Sequence, residues 1–266
     1  MTKTSAQRKF ERGIEHLETI SAETKAFEYG KSYPLRVERE VRSPEEVRYD
    51  CFAIPKKPLP DHWPLVIGDA VQNIRSSLDH AVYAAARGKG RTQFPIFEDA
   101  CEFQVIGRKD IAGVPAPIRA IIEEAQPFNT RVGKPSADAL AVLADLSNHD
   151  KHRNITTAVS FIELPYLGHD GSADIEIIYN GEGQPLAPDK ETHVVSFLDR
   201  GSEAEKVDVH PDFFYEVLIE RVRRDRRSTE WLKLRTVLET VSGRAWDVLN
   251  AVETGRSPSV WLRPAS

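Results

Sequence analysis

Between Val66 and Ala86 the chain holds neither lysine nor glutamate, yet it reads as one long helix. At about 100° per residue, Val66, Ile67, Ala70, Val71, Ile74, Leu78, Ala81, Val82 and Ala85 fall on one broad apolar face. Asp69, Gln72, Asn73, Arg75, Ser76, Asp79 and His80 collect on the other. A helix surface that meets water is normally filled with Lys, Glu and Arg, which are good helix formers. Short hydrogen-bonding side chains weaken a helix, because they compete for its backbone. This polar face is therefore expected to pack against polar partners. Asp61 is the expected N-cap, with Pro64 in the first turn and Gly88-Lys-Gly90 closing the helix near Arg87.

Other elements follow from periodicity. Phe10, Ile14, Leu17 and Ile20 make one stripe of an amphipathic helix from about Ala6 to Phe27. Leu35–Val41 and Val47–Ile54 alternate as the strands of a hairpin, which Pro55, Pro58 and Pro60 end. Helices are expected from about Pro115 to Ala125 and from Ser136 to Ser147, the latter with Leu140, Leu143 and Leu146 inward. After Asn154 the pattern changes to strands at Ile155–Leu164, Ala173–Tyr179 and His193–Leu198. Val207–Ile219 reads as a further strand or as a strand leading into a short helix. A last helix is expected from about Ser228 to Val252, capped by Ser228-Thr-Glu, with Trp231, Leu234, Leu238, Val241, Trp246 and Leu249 as core candidates.

The fold class expected is α+β: a helical core of about five helices, an N-terminal β-hairpin, an antiparallel β-layer after residue 154 and a long closing helix. We expect one domain over 1–266. It comprises a helical part (1–153), a β-rich part (154–220) and a C-terminal helix (228–252) packing back on the helical part.

Composition excludes several classes. At 40% hydrophobic and 29% charged residues the chain can build a full core. No apolar run approaches about 18 residues, and the N-terminus has no apolar leader, so no membrane association is expected. Cys51 and Cys101 are in no CxxC pair, and we expect both to be small buried apolar residues in a reducing, cytoplasmic compartment. A net charge of -5 builds in no attraction to nucleic acid. One basic run, Arg221-Val-Arg-Arg-Asp-Arg-Arg227, reads as a solvated turn with the first helical turns, or as a phosphate-contacting strip. GxGxxG, GxxxxGK[ST] and GxSxG are absent, so nucleotide and α/β-hydrolase chemistry is not supported.

Two clusters are candidates for chemistry. On the long helix, Asp69, Asn73 and His80 lie nearly on one meridian, and Arg75 and Asp79 are placed at i,i+4 to form an ion pair. Arg75 and His80 diverge by about 140° and flank the polar face. The second cluster is Asn148-His149-Asp150-Lys151-His152-Arg153, at a helix C-terminus. There the cations complement the helix dipole. They also offer phosphate neutralisation by Lys151 and Arg153, with Asp150 orienting an imidazole. If the clusters meet, His80 and His152 supply a base and an acid near neutrality. His149 and His152 with Asp145 or Asp150 would be a two-imidazole metal set, but i,i+3 histidines at a helix end match no zinc motif. No metal and no cofactor are expected.

Asn73-Ile-Arg75-Ser-Ser-Leu-Asp-His80 resembles the Arg-x4-His signature of the HEPN superfamily, helical domains many of which are metal-independent RNases. The resemblance implies a homodimer whose Arg75 contacts phosphate and whose His80 acts as acid/base. Read with the chemistry of the two clusters, His152 would be auxiliary, Asn73, Asp79, Lys151 and Arg153 would contact the substrate, and Asp69 and Asp150 would orient these groups. RNA would be the substrate, and an antitoxin or defence partner would fit. The chain also resembles a set of bacterial proteins with no assigned activity that share the Gly68-Asp-Ala-Val-Gln-Asn-Ile-Arg-Ser-Ser-Leu-Asp-His80 and Asn148-His-Asp-Lys-His-Arg153 motifs. Two readings stand: a metal-independent endoribonuclease, or a non-enzymatic binding or assembly protein in which Arg75, Asp79 and His80 form a buried network.

Overall fold

The computed structural model describes every residue except 1, 30–32, 56, 90–91, 152, 169–173, 201–209, 224–227, 259–260 and 262–266. The fold is α+β. In chain order the elements begin with α1 (Ser5–Tyr29), the hairpin β1 (Leu35–Ser43) and β2 (Glu46–Ala53), and α2 (Trp63–Ala85). Short α3 (Ala100–Glu102) and α4 (Arg108–Asp110) flank a π-helical turn, and α5 (Ala116–Glu124), α6 (Pro127–Thr130) and α7 (Ala139–Asp150) follow. Then come β3 (Thr157–Gly168), β4 (Ile175–Asn180), β5 (Thr192–Asp199), β6 (His210–Val222), β7 (Thr229–Lys233) and α8 (Leu234–Thr254).

Contacts divide the chain into two compact units. One comprises Met1–Ser21, His62–Thr156 and Glu220–Ser266; the other comprises Ala22–Asp61 and Thr157–Ile219. In the first, α2 packs on α7 and α8, and α7 packs on α8. Ile67, Val71, Ile74 and Leu78 of α2, Leu140, Leu143 and Leu146 of α7, and Leu238, Val248 and Leu249 of α8 are all buried. Gly13 of α1 brings a third backbone close: a Cβ there would lie 2.7 Å from Ile74 Cγ1 and 3.2 Å from the Ala70 carbonyl oxygen. Only glycine fits that crossing without a shift.

In the second unit, one sheet has the strand order β1-β2-β5-β4, and β3 pairs with β6 beside it. All the pairings described are antiparallel, in registers such as Val37↔Cys51, Tyr49↔Phe197 and Val159↔Val217. Alternation along β2 sends Val47, Tyr49, Cys51 and Ala53 inward. They share a core with Val195 and Phe197 from β5 and Val159, Phe161 and Tyr215 from the other pair of strands.

Several local expectations are corrected. The segment read as the start of the last helix is the strand β7, which pairs with the end of β6; the Arg223 N–H donates to the Ser228 carbonyl at 3.1 Å. Sheet pairing overrides the Ser-Thr-Glu capping signal, and α8 starts at Leu234 behind Lys233, which makes no side-chain cap. Trp246 of α8 is 39% exposed rather than core. The α2 N-cap is His62, not Asp61, and it too makes no side-chain cap bond. Pro64 sits in the first turn as expected. Of the stretch read as Val207–Ile219, the part from His210 onward is strand, β6, paired along β3, and 207–209 lie outside the described residues. Cys51 is buried, and burial, with the nearby Asp50 charge, pushes its thiol up to about 12. Cys101 is exposed, because it lies on the short surface helix α3. Among the described residues no helix is long and apolar enough to cross a membrane.

Candidate functional site

The helix α2 ends as its glycine demands. Gly88 adopts φ +68° and its N–H donates to the Tyr83 carbonyl at 3.1 Å, with Arg87 at φ 53° just before it. On the body of the helix Ile67, Ala70, Val71, Ile74, Leu78, Ala81 and Val82 are buried, while Val66 and Ala85 are half-buried.

Arg75 is only 9% exposed although it belongs to the polar face. Its Nη1 donates to Asp79 Oδ1 at 2.7 Å, one helical turn on, and its Nη2 donates to the Phe94 carbonyl at 2.6 Å. The Phe94 N–H donates back to the same Asp79 Oδ1 at 2.8 Å. Arginine, aspartate and both backbone groups of Phe94 thus close one ring of hydrogen bonds. The ring pins the extended segment Phe94-Pro-Ile-Phe97 to α2. Gln126 holds its far end, accepting from the Phe97 N–H at 3.0 Å and donating to the Pro95 carbonyl at 2.8 Å.

His80 uses the other flank. Its Nδ1 is 2.8 Å from the Ser5 hydroxyl at the start of α1, and its ring is half-buried. Thr4 and Gln7, around that same helix start, donate to the two oxygens of Glu253 at 2.6 and 2.8 Å. Asn73 donates to the Asp69 carbonyl at 2.8 Å and accepts from Lys9 at 3.4 Å, while Asp69 itself is exposed. The polar face of α2 therefore meets α1 on one side and the Phe94 segment on the other. Arg75 and His80 have separate partners.

Among the described residues, Asp150 is the member of the second cluster that hydrogen-bonds to α2. α7 continues through Asp150, with Lys151 as its C-cap. Asp150 Oδ2 accepts from Gln72 Nε2 at 3.1 Å, and the same amide donates to the Ser147 carbonyl at 2.8 Å. The Ser147 hydroxyl donates to Gln72 Oε1 at 3.1 Å. The Asp150 carboxylate also lies over Gly68, where no side chain exists to exclude it. At 1.5 Å rise per residue this contact lies about 18 Å along the helix from His80. Lys151 and Arg153 are exposed, and His149 Nε2 pairs with the Asn154 carbonyl at 3.2 Å. His152 lies outside the described residues.

Sequence reasoning passed over Gly68, Gln72, Ser147 and Phe94 as working parts. A glycine in mid-helix was the one available signal that another group approaches closely. Of the basic run, Arg221 is buried in an ion pair with Asp145, Arg223 pairs with Glu98 at 3.4 Å, and 224–227 lie outside the described residues. Among the described residues no group of three His, Cys, Asp or Glu side chains is placed to hold a metal ion.

No family model, no curated protein and no solved structure matches this chain. The chemistry of the site is read from its geometry. Asp79 and the Phe94 carbonyl each already hold one end of the Arg75 guanidinium.

Proposed function

We propose that this chain is a non-enzymatic binding or assembly protein in which Arg75, Asp79 and His80 serve as structural groups of the α2 helix. The observation that carries this reading is the closed ring of Arg75, Asp79 and the Phe94 backbone, with the arginine buried. A buried polar group that is fully engaged rigidifies a core and specifies its packing. A ribonuclease with Arg75 on phosphate and His80 transferring protons needs both in one cleft, facing solvent, beside cations. Here the arginine is turned inward, the histidine is tied to a different helix, and Lys151 and Arg153 lie at the Gly68 end.

The test is incubation of the purified protein with mixed RNA in EDTA, beside Arg75→Ala and His80→Ala variants. We expect the RNA to stay intact with all three, and Arg75→Ala to melt earlier than the parent. Cleavage by the parent that both variants lose while still folded would overturn this reading. It would make the HEPN-like endoribonuclease the better one.

A further inference from the structure

Arg221, at the end of β6, sits on the wall of a cavity of about 230 Å³ between β7 and the starts of α7 and α8. Val142, Leu232, Val237 and Val241 make most of that wall apolar. The guanidinium is shared between two carboxylates of opposite character. From inside, Asp145 Oδ2 accepts from Nε at 2.9 Å and Nη2 at 2.7 Å, and the side chains of this pair are 3% and 0% exposed. Nη2 also donates to the Ser136 carbonyl at 2.8 Å. From outside, Glu230 Oε1 accepts from Nη1 at 2.7 Å, but this glutamate is 46% exposed. Two more cations line the cavity, Arg223 and the exposed Lys134.

The inner pair is permanent, since removing either partner would strand a buried charge. The outer bond is exchangeable, because its carboxylate is 46% exposed and water competes for it. Glu230 thus holds the position that a ligand's carboxylate or phosphate oxygen would take, next to an apolar wall and two further cations. We propose that this cavity binds a small amphipathic oxyanion. Its head would displace Glu230 from Arg221 and reach Arg223 and Lys134, and its apolar body would lie on Val142, Leu232, Val237 and Val241. The site goes beyond the structural reading of α2 and shares no residue with it, so RNA cleavage and ligand binding fail or succeed separately.

Titration of the full chain with octanoate and octyl phosphate, with octanol and inorganic phosphate as controls, tests it by calorimetry. We expect at least one of the two amphiphiles to bind saturably, and about tenfold or more tighter than octanol, the discrimination of one charge-assisted hydrogen bond. The tighter of the two identifies the head. Lys134→Ala with Arg223→Ala, both away from the buried pair, should weaken binding several-fold. Glu230→Gln should tighten it several-fold, because the head then displaces a neutral amide rather than a carboxylate from Arg221. Absence of saturable binding, octanol binding as tightly, inorganic phosphate binding as tightly, or weaker binding by Glu230→Gln would each overturn the proposal.

Discussion

The Asp150 carboxylate rests on the α-carbon of Gly68, so close that a Cβ at Gly68 would lie 2.9 Å from Asp150 Cγ. This contact locks the end of α7 to the first turns of α2. It also joins the two motifs that stand 80 residues apart in the chain. The glycine of the first motif is there to admit the aspartate of the second.

Gly68→Ala should therefore gain less than a mid-helix substitution usually does. Alanine is favoured over glycine inside a helix by about 1 kcal/mol, but the methyl group would push the Asp150 carboxylate off Gln72, a hydrogen bond of about 0.5–1.5 kcal/mol. We expect little net change in the parent and clear stabilisation in an Asp150→Ala background. Urea unfolding of the four proteins measures the coupling. An equal effect in both backgrounds would show that the carboxylate is not what excludes the methyl group.

Arg75→Ala strips Asp79 and the buried Phe94 carbonyl of their shared donor. The cost of breaking a buried pair is about 3–5 kcal/mol, and because Asp79 is one-third exposed the lower end applies, about 3 kcal/mol. Asp79→Ala should cost a similar amount, since it takes the carboxylate from Arg75 and leaves the Phe94 N–H without its acceptor. Arg75→Lys keeps the charge without the planar fork that spans both acceptors, so it should recover only part of the loss. Chemical denaturation reads all three. A loss below about 1 kcal/mol for Arg75→Ala would place it with ordinary surface changes and remove the structural role.

Asp50 makes the second unit acid-sensitive. Burial pushes its carboxyl up, but hydrogen bonds from Arg48 and Ser196 and the charges of Arg48 and His193 outweigh burial and hold it below the ordinary carboxylate value. Arg48 clasps it with two bonds of 2.9 Å, and the Ser196 hydroxyl donates to it across β2 and β5. The folded pKa lies below the unfolded one, so the stabilisation is fully present above about pH 3.9. It is lost as pH falls through the folded value. Asp50→Asn should cost stability at pH 7 and progressively less as pH drops below 4, seen as converging urea midpoints. A gap that stays constant between pH 7 and pH 2 would contradict the assignment.

What was legible from residues alone follows local physics. The buried face of α2 could be read because a 3.6-residue period places Ile67, Val71, Ile74 and Leu78 on one side whatever they meet. The i,i+4 pairing of Arg75 with Asp79 is likewise a property of one helix. The β1–β2 hairpin is legible as two alternating runs, Leu35–Val41 and Val47–Ile54. The 229–233 segment failed because Ser228-Thr-Glu is a valid local capping signal, and its strand state is set by pairing with β6. Trp246 failed for a related reason: its helical phase is close to the core face, but how far that face is covered depends on neighbours elsewhere in the chain.

The α+β class, the amphipathic face of each long helix and the unusual polar face of α2 are written locally in the residues, because these depend on side chains within a turn or two of one another. The assembled fold alone shows that Arg75 is held by Phe94, that Asp150 lies over Gly68, that Arg221 is buried on Asp145, and that β2 pairs with β5. Each of these joins residues from 19 to about 150 positions apart. Such partners are chosen by which surfaces the chain brings together, and periodicity carries no record of that choice.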